Sequence, residues 1–481
     1  MIVLYCILGL LGALILFMVV RTLVTRPRAT QISTYQAPPV DRDKLVAELQ
    51  GAVRIPTVTL EHNDEDGSVF FEYQNYLETT YPALLGSAQK INVNRYAVIY
   101  IVKGTDPALL PVAVLAHQDV VPAPEEGWEV PPFSGEVKDG CVYGRGSQDM
   151  KSQMIAALHA LNVLIAEGKP PKRTVYFCFG HDEERQGYEG ARHIVAYLKE
   201  KGVRFESVID EGGTILDGSI LGIPNKVALI GTCEKGYADI TLEVEKLGGH
   251  ASTPTRRTAV GMLSEAIADI EHTPMPTHWT VPTKQMIKTL APYMKFPFRL
   301  IFVNRDVLSP LLKRLLSIVN PFTNCLVRTT FAPTQTAGST APNVLPPRAK
   351  ANINVRINTG ETVEDVCRHI RNVVGKKVKV EPVTGYFDPS PVSSVTSDAY
   401  QKLTKTIAEV FNGYIAAPYP FIAASDAKYY YALSDNVYRF TPFEKTVEDA
   451  NRIHACNERQ NIDSLVVGTQ FFLRYFENTC Y

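Results

Sequence analysis

At 481 residues, 45% hydrophobic and 21% charged, the chain has the composition of a globular protein with room for two domains, which excludes disordered and collagen-like classes. Its 49 Lys and Arg are matched by 50 Asp and Glu, and neither a basic arm nor a zinc-finger spacing occurs, so no nucleic-acid partner is expected. The eight cysteines are scattered without a C-x-x-C pair, which predicts neither a disulfide framework nor a zinc knuckle. There is no N-x-Ser/Thr sequon and no internal repeat.

The chain begins with an uncharged apolar run, Ile2 to Val20, closed by Arg21 and long enough to cross a bilayer as one helix. It lacks a basic n-region and a small-x-small site after the run, so an uncleaved single-pass anchor over residues 1–26 is favoured over a cleaved signal peptide. Arg21, Arg26 and Arg28 all follow the run, and the positive-inside rule then places the rest of the chain on the cytoplasmic side. Residues 27–42, "PRATQISTYQAPPVDR", are polar and proline-bearing and read as a tether.

Beyond the tether, strands and helices alternate. Strands are expected at Ala97 to Val102, Val112 to Ala116, Thr174 to Phe179 and Ser207 to Ile209, with helices at Met154 to Ala166 and Ala191 to Lys201. Such alternation predicts a layered α/β sheet, whose ligand chemistry lies at the C-terminal ends of its strands. Past residue 236 the pattern changes to longer alternating strands such as Ala238 to Val244, followed by a helix from about Ala259 to Ile270.

Four strand ends or turns carry side chains able to hold a metal. "VAVLAHQDVVP" delivers His117 and, two residues on and so on the same side of an extended chain, Asp119. "YGRGSQDMKS" sets Asp149 at a helix start, where an N-cap role competes with ligation. "FGHDEERQGYEG" crowds Asp182, Glu183 and Glu184 directly after a buried strand. An acidic run is ordinarily a solvated turn, but here adjacent residues can divide between ligation and general-base work. "SVIDEGG" offers Asp210 or Glu211, between which spacing does not choose, and far downstream "NRIHACNER" adds His454. Two imidazoles with several carboxylates suit a pair of divalent ions about 3.5–4 Å apart.

In combination these motifs, together with "VVPAPEEGWEVPPFSG", "GHDEE" and "RIHACNE", resemble the aminoacylase, carboxypeptidase S and glutamate carboxypeptidase family of di-zinc amidohydrolases, from about Leu45 to the C-terminus. The resemblance implies an α/β fold: a zinc-peptidase-like catalytic domain with a central mixed sheet flanked by helices, and an inserted α+β lid and dimerisation domain. The catalytic domain would comprise 43–236 and 386–481, and the lid 237–385. Two Zn2+ are implied, with cobalt or manganese as substitutes. Asp149 would bridge them, His117 and Asp210 would hold one, and Glu184 and His454 the other, with Glu211 as the alternative to Asp210. Glu183 would be the general base and Asp119 the partner of His117.

The resemblance also implies lid contacts to substrate from His250 in "GGHAST", Asn343 in "TAPNVLPP" and Arg356 in "INVRINTG", and a homodimer through the lid. Ser425 in "AASDAKYYY" would border the substrate. Relatives carry Gly-Asn-Thr-Asp or Gly-Gly-Thr-Asp there, so Ala423-Ala424-Ser425 is a departure that bears on specificity. The implied activity is hydrolysis of N-acyl amino acids, fatty-acyl ones and the reverse reaction included, or of peptides with a free C-terminal carboxylate. A broad dipeptidase or Gly-X carboxypeptidase is the alternative enzyme, and an inactive binding protein on the same fold the alternative from another class. The resemblance favours a lumenal or extracellular catalytic domain, against the charge rule. One stretch, Lys295 to Phe322, is more apolar than a lid requires and reads as an acyl pocket, a membrane contact, or packing and dimer surface.

Overall fold

The computed structural model describes residues 1–27, 33–61 and 66–481, with backbone alone at 220 and 221; Arg28 and residues 29–32 of the expected tether lie outside the described residues. A nine-stranded mixed sheet forms the centre. Its main path runs Gln89–Val93, Ala97–Val102, Val175–Gly180, Val112–His117, Ser207–Asp210, Val437–Arg439, Lys226–Glu234 and Ile415–Phe421, with Thr214–Asp217 paired to Lys226–Glu234. Val112–His117 is parallel to both of its neighbours, so the strands ending at His117, Gly180 and Asp210 open at one edge.

Period-two burial explains the layers. Val98, Tyr100, Val112, Val114 and Ala116 face a core closed by the helices Arg42–Arg54, Lys151–Ala166, Asp398–Val410 and Ile462–Cys480. Their neighbours Ala97, Ile99, Ala113 and Leu115 face a second core under the helix Ala191–Glu200. Covered on both faces, these strands are continuous apolar runs, and Val112–His117 is buried along its whole length. The expected strands and helices occur here with ends displaced by a few residues: the first helix starts at Lys151 instead of Met154, and the strand before the acidic run spans Val175–Gly180.

The second unit is a four-stranded antiparallel sheet in the order Thr330–Ala337, Arg348–Ile357, Gly236–Glu245, Lys379–Pro382. One face is covered by the helices Ala259–His272 and Val363–Val374, and strict inside-outside alternation along Gly236–Glu245 follows from that one-sided cover. The range expected as one lid, 237–385, serves two cores. Its helical middle buries Leu290, Met294 and Leu326 against Val227, Leu229, Ile415 and Ala417, at the far edge of the large sheet. Amphipathic helices demand a partner surface without naming it, and here the catalytic sheet supplied it.

The N-terminal helix Ile2–Val24 is long and apolar enough to cross a membrane and is exposed along its length except near its end, where Thr22 is buried.

Candidate active site

The opening between the parallel strands gathers the residues singled out above. His117 ends its strand with both ring nitrogens engaged: Nδ1 donates to the Asp119 carbonyl at 2.8 Å, and Nε2 faces Asp149 Oδ1 at 3.1 Å and Glu211 Oε1 at 3.5 Å. A carbonyl oxygen only accepts, so Nδ1 carries a proton and the Nε2 lone pair is left for a cation. Across the opening, His454 Nε2 lies 3.1 Å from Glu184 Oε1 and 3.2 Å from Asp149 Oδ2. Asp149 therefore turns one oxygen to each imidazole. It stands in the turn before Lys151–Ala166, and its side chain does not cap that helix. Gly144 and Gly146, with φ of 144° and 83°, make the tight path that leads to it.

Ligand-capable atoms of His117, Asp149 and Glu184 all lie within 4.8 Å of one another, as do those of His117, Glu183 and Glu211. Burial drives the carboxyls in this crowd toward neutrality. It pushes Glu211 up to about 8, with the Asp149 charge adding to the effect, and raises Glu183 well above the usual range. Burial works on Asp149 in the same direction, but its bonds to His117 and His454 win and hold it well below. Those bonds to Asp149 and Glu184 lift His454 to about 10. Several buried carboxylates sharing two imidazoles make a site whose surplus negative charge a divalent cation neutralises, and an N/O donor set without thiolate fits zinc, cobalt or manganese.

Asp210 and Glu211 stand differently. Both Asp210 oxygens accept backbone N–H bonds, from Glu211 and from Ala427, each at 2.9 Å, whereas Glu211 faces His117. Successive residues at a strand end point opposite ways, and it is Glu211, the alternative to Asp210, that joins the ligand-capable group with His117. Asp119 also does more than expected. Its carboxylate, 3.5 Å from His117 Nδ1, accepts the N–H groups of Glu183 and Glu184 at 3.1 and 3.2 Å and so orients the acidic turn. Asp182, left without a role by the sequence, accepts the N–H groups of Glu189 and Gly190, both at 2.7 Å, and closes the loop that follows. Burial raises its carboxyl to about 6.

Ser425 is 1% exposed, and its hydroxyl donates at 2.7 Å to Glu234, which is itself paired with the buried Arg439 at 2.5 Å. Glu458, which sequence reasoning passed over, accepts the N–H of Gln148 at 2.8 Å and of Asp149 at 3.2 Å, and pairs with Arg145 at 2.6 Å. It thereby ties the His454 loop to the Asp149 turn. Its signal was its position four residues after His454 in "HACNE".

The three residues expected on the lid all lie on the smaller unit. His250 and Asn343 flank a two-stranded ribbon in which Gly249–His250 pairs with Val344–Leu345, and both are exposed. His250 Nδ1 sits 2.6 Å from Ser252 Oγ. Arg356 stacks over Tyr237 at 4.9 Å, and among the described residues no carboxylate lies within ion-pair distance of its guanidinium.

Comparison with known proteins agrees with this architecture. The model of "Peptidase family M20/M25/M40" matches residues 113–478. The N-fatty-acyl-amino acid synthase/hydrolase of Xenopus tropicalis is 39% identical over 444 residues, covering 91% of this chain and 86% of the relative. The probable carboxypeptidase S-like 2 of Dictyostelium discoideum is 32% identical over 443 residues, covering 91% of this chain and 85% of the relative. The crystal structure of an M20 family metallo-carboxypeptidase from Sulfolobus solfataricus superposes with a TM-score of 0.66 at 17% identity, covering 90% of this chain and 98% of that one. With the matched family model spanning both parts of the catalytic sheet and the metal-competent residues at its mouth, the chain belongs to peptidase family M20/M25/M40 and is a metal-dependent hydrolase of amide or peptide bonds.

Proposed function

We propose that this protein is a membrane-anchored di-zinc amidohydrolase that splits N-fatty-acyl amino acids into fatty acid and amino acid, and joins them in reverse. The observation that carries the reading is Asp149, one oxygen toward each imidazole, with Glu183 beside it in the second ligand-capable group. The name of the Xenopus tropicalis relative supports the substrate class. His117, Asp149, Glu211, Glu184 and His454 would hold the cations, with Asp149 the residue that faces both imidazoles. Bound there, the cations lower the pKa of water and polarise the scissile carbonyl.

The chain's own groups do the rest. Glu183 takes a proton from the attacking water as its oxygen bonds to the amide carbon. As the carbon–nitrogen bond breaks, Glu183 returns that proton to the leaving nitrogen. Burial and like-charged neighbours raise its carboxyl, which suits a group that must both accept and donate. Asp119 holds Glu183 in place through its backbone. On the lid, Arg356 takes the substrate carboxylate in its planar fork, and His250 and Asn343 steady the carbonyl oxygen; a homodimer through the lid brings these groups to the cleft. The helix Ile2–Val24 is the anchor, and residues 27–42 the tether.

The carboxypeptidase S-like relative favours a second reading, a dipeptidase or carboxypeptidase of broad range. Release of free amino acid is measured from N-oleoyl-phenylalanine and from Gly-Leu on the full chain, chelated and then supplied with zinc, cobalt or manganese. Restored cleavage of N-oleoyl-phenylalanine above Gly-Leu is expected. The opposite ranking turns the assignment to a dipeptidase, and no turnover with any metal turns it to a binding protein.

A further inference from the structure

Among the described residues, the helix Ser309–Val319 has a largely exposed apolar face. Leu311, Leu315, Ile318 and Val319 are 64%, 43%, 72% and 66% exposed, and Phe322 beyond the helix end is 39% exposed. Steps of four, three and one residues put Leu311, Leu315, Ile318 and Val319 on one face, while Leu312, at the edge of that face, is 1% exposed and meets the core. The outward stripe is therefore surplus to the core. Phe296 and Phe298, earlier in the same segment, are also 71% and 50% exposed. An apolar surface of this extent on a soluble face marks a contact.

Its position identifies the partner. The end of Ile2–Val24 is fastened to the segment directly before this helix. Asn304 Nδ2 donates to the Met18 carbonyl at 3.1 Å and to Thr22 Oγ1 at 3.0 Å, Arg21 pairs with Asp306 at 3.0 Å, and Arg299 donates to the Thr25 carbonyl. A bilayer crossed by Ile2–Val24 ends close to those bonds, and the stripe begins five residues after Asp306. Between Lys295 and Phe322 the chain sets five cations, Lys295, Arg299, Arg305, Lys313 and Arg314, against the single anion Asp306. A segment with apolar side chains and a cation excess suits the boundary between acyl chains and anionic headgroups, into which such a face sinks by about 5–10 Å. A second copy fits less well, because a twofold contact returns the same cations to face each other. An acyl pocket fits less well too: the neighbouring cavity, about 720 Å³, is lined by Arg26, Lys288, Tyr293 and Tyr400 among others and by none of the stripe.

We propose that the outer face of Ser309–Val319, with Phe296, Phe298 and Phe322, is a second membrane contact that lies flat on an anionic bilayer and holds the catalytic body against it. This rests on reading Ile2–Val24 as the span, and it gives a long-chain substrate dissolved in lipid a short path to the cleft.

The test uses the full chain in vesicles of phosphatidylcholine and phosphatidylglycerol, with and without brominated acyl chains. A tryptophan is placed at Leu315→Trp or, as control, at Gln89→Trp, exposed on the strand at the opposite edge of the large sheet. The emission of Trp128 and Trp279 in the parent chain is subtracted. The Leu315→Trp signal is expected to shift to the blue and lose more than half its intensity to bromine, while the Gln89→Trp signal does neither. Equal, unquenched signals overturn the proposal. So does a blue-shifted Leu315→Trp signal that bromine leaves intact, since that marks burial against protein, including a second copy. Alkaline extraction of the same vesicles reports on the span separately: release of the protein sinks the anchor reading, and quenching at neutral pH still decides the helix.

Discussion

The mouth of the large sheet and the lid hold their functional side chains in opposite ways. At the mouth, Asp119, Asp182, Asp210 and Glu458 each accept two backbone N–H groups, and all four are buried. On the lid, His250 and Asn343 stand exposed on a two-residue ribbon, and Arg356 rests on one ring. Charge-assisted bonds in a low-dielectric surround are stiff, so the candidate metal and base groups are fixed by the chain itself. The side chains proposed to meet substrate are held by far fewer bonds.

The sharpest way to break that contrast is Glu183→Gln. Turnover is expected to fall by about 10²–10⁴-fold while bound metal, measured by elemental analysis, stays at the parent level. Near-normal turnover removes Glu183 from the reaction. Arg145→Ala comes next, because it strands the buried Glu458 charge. A stability loss of about 3–5 kcal/mol by denaturant unfolding is expected. A loss under 1 kcal/mol would mean that the Asp149 turn is not held as described.

The pair Glu211→Gln and Asp210→Asn separates ligand from support. The first should lower metal content. The second should keep the metal and lose about 1–3 kcal/mol of stability, since an amide offers peptide N–H groups less than a carboxylate does. Metal loss confined to Asp210→Asn reverses the assignment. Smallest is Arg356→Ala on the lid: KM for substrates with a free carboxylate should rise by the roughly 1.5–3 kcal/mol of a charged hydrogen bond, with amide-capped substrates unaffected. An equal change for both kinds of substrate would take Arg356 away from the carboxylate.

Much of this was legible beforehand. The buried strands announced themselves because sheets covered on both faces need continuous apolar runs, and His117, Asp149, Glu183, Glu184 and His454 follow strands or turns recognisable in one dimension. The bond of Ser425 to Glu234 was not legible because the two lie 191 residues apart and only the fold brings them together. The partner of the helical middle of residues 237–385 was hidden for a related reason: its sequence requires an apolar surface, and the strands Lys226–Glu234 and Ile415–Phe421 that provide one lie on both sides of it in the chain.

By itself, then, the sequence determined which residues could do the chemistry and which segments were strands, because side-chain type and period are local properties. Which of two adjacent acids turns to His117, and which apolar side chains of Ser309–Val319 are left exposed, were decided only in the tertiary structure. Asp210 meets the N–H of Ala427, and Leu312 meets the core, only once distant parts of the chain have closed around them.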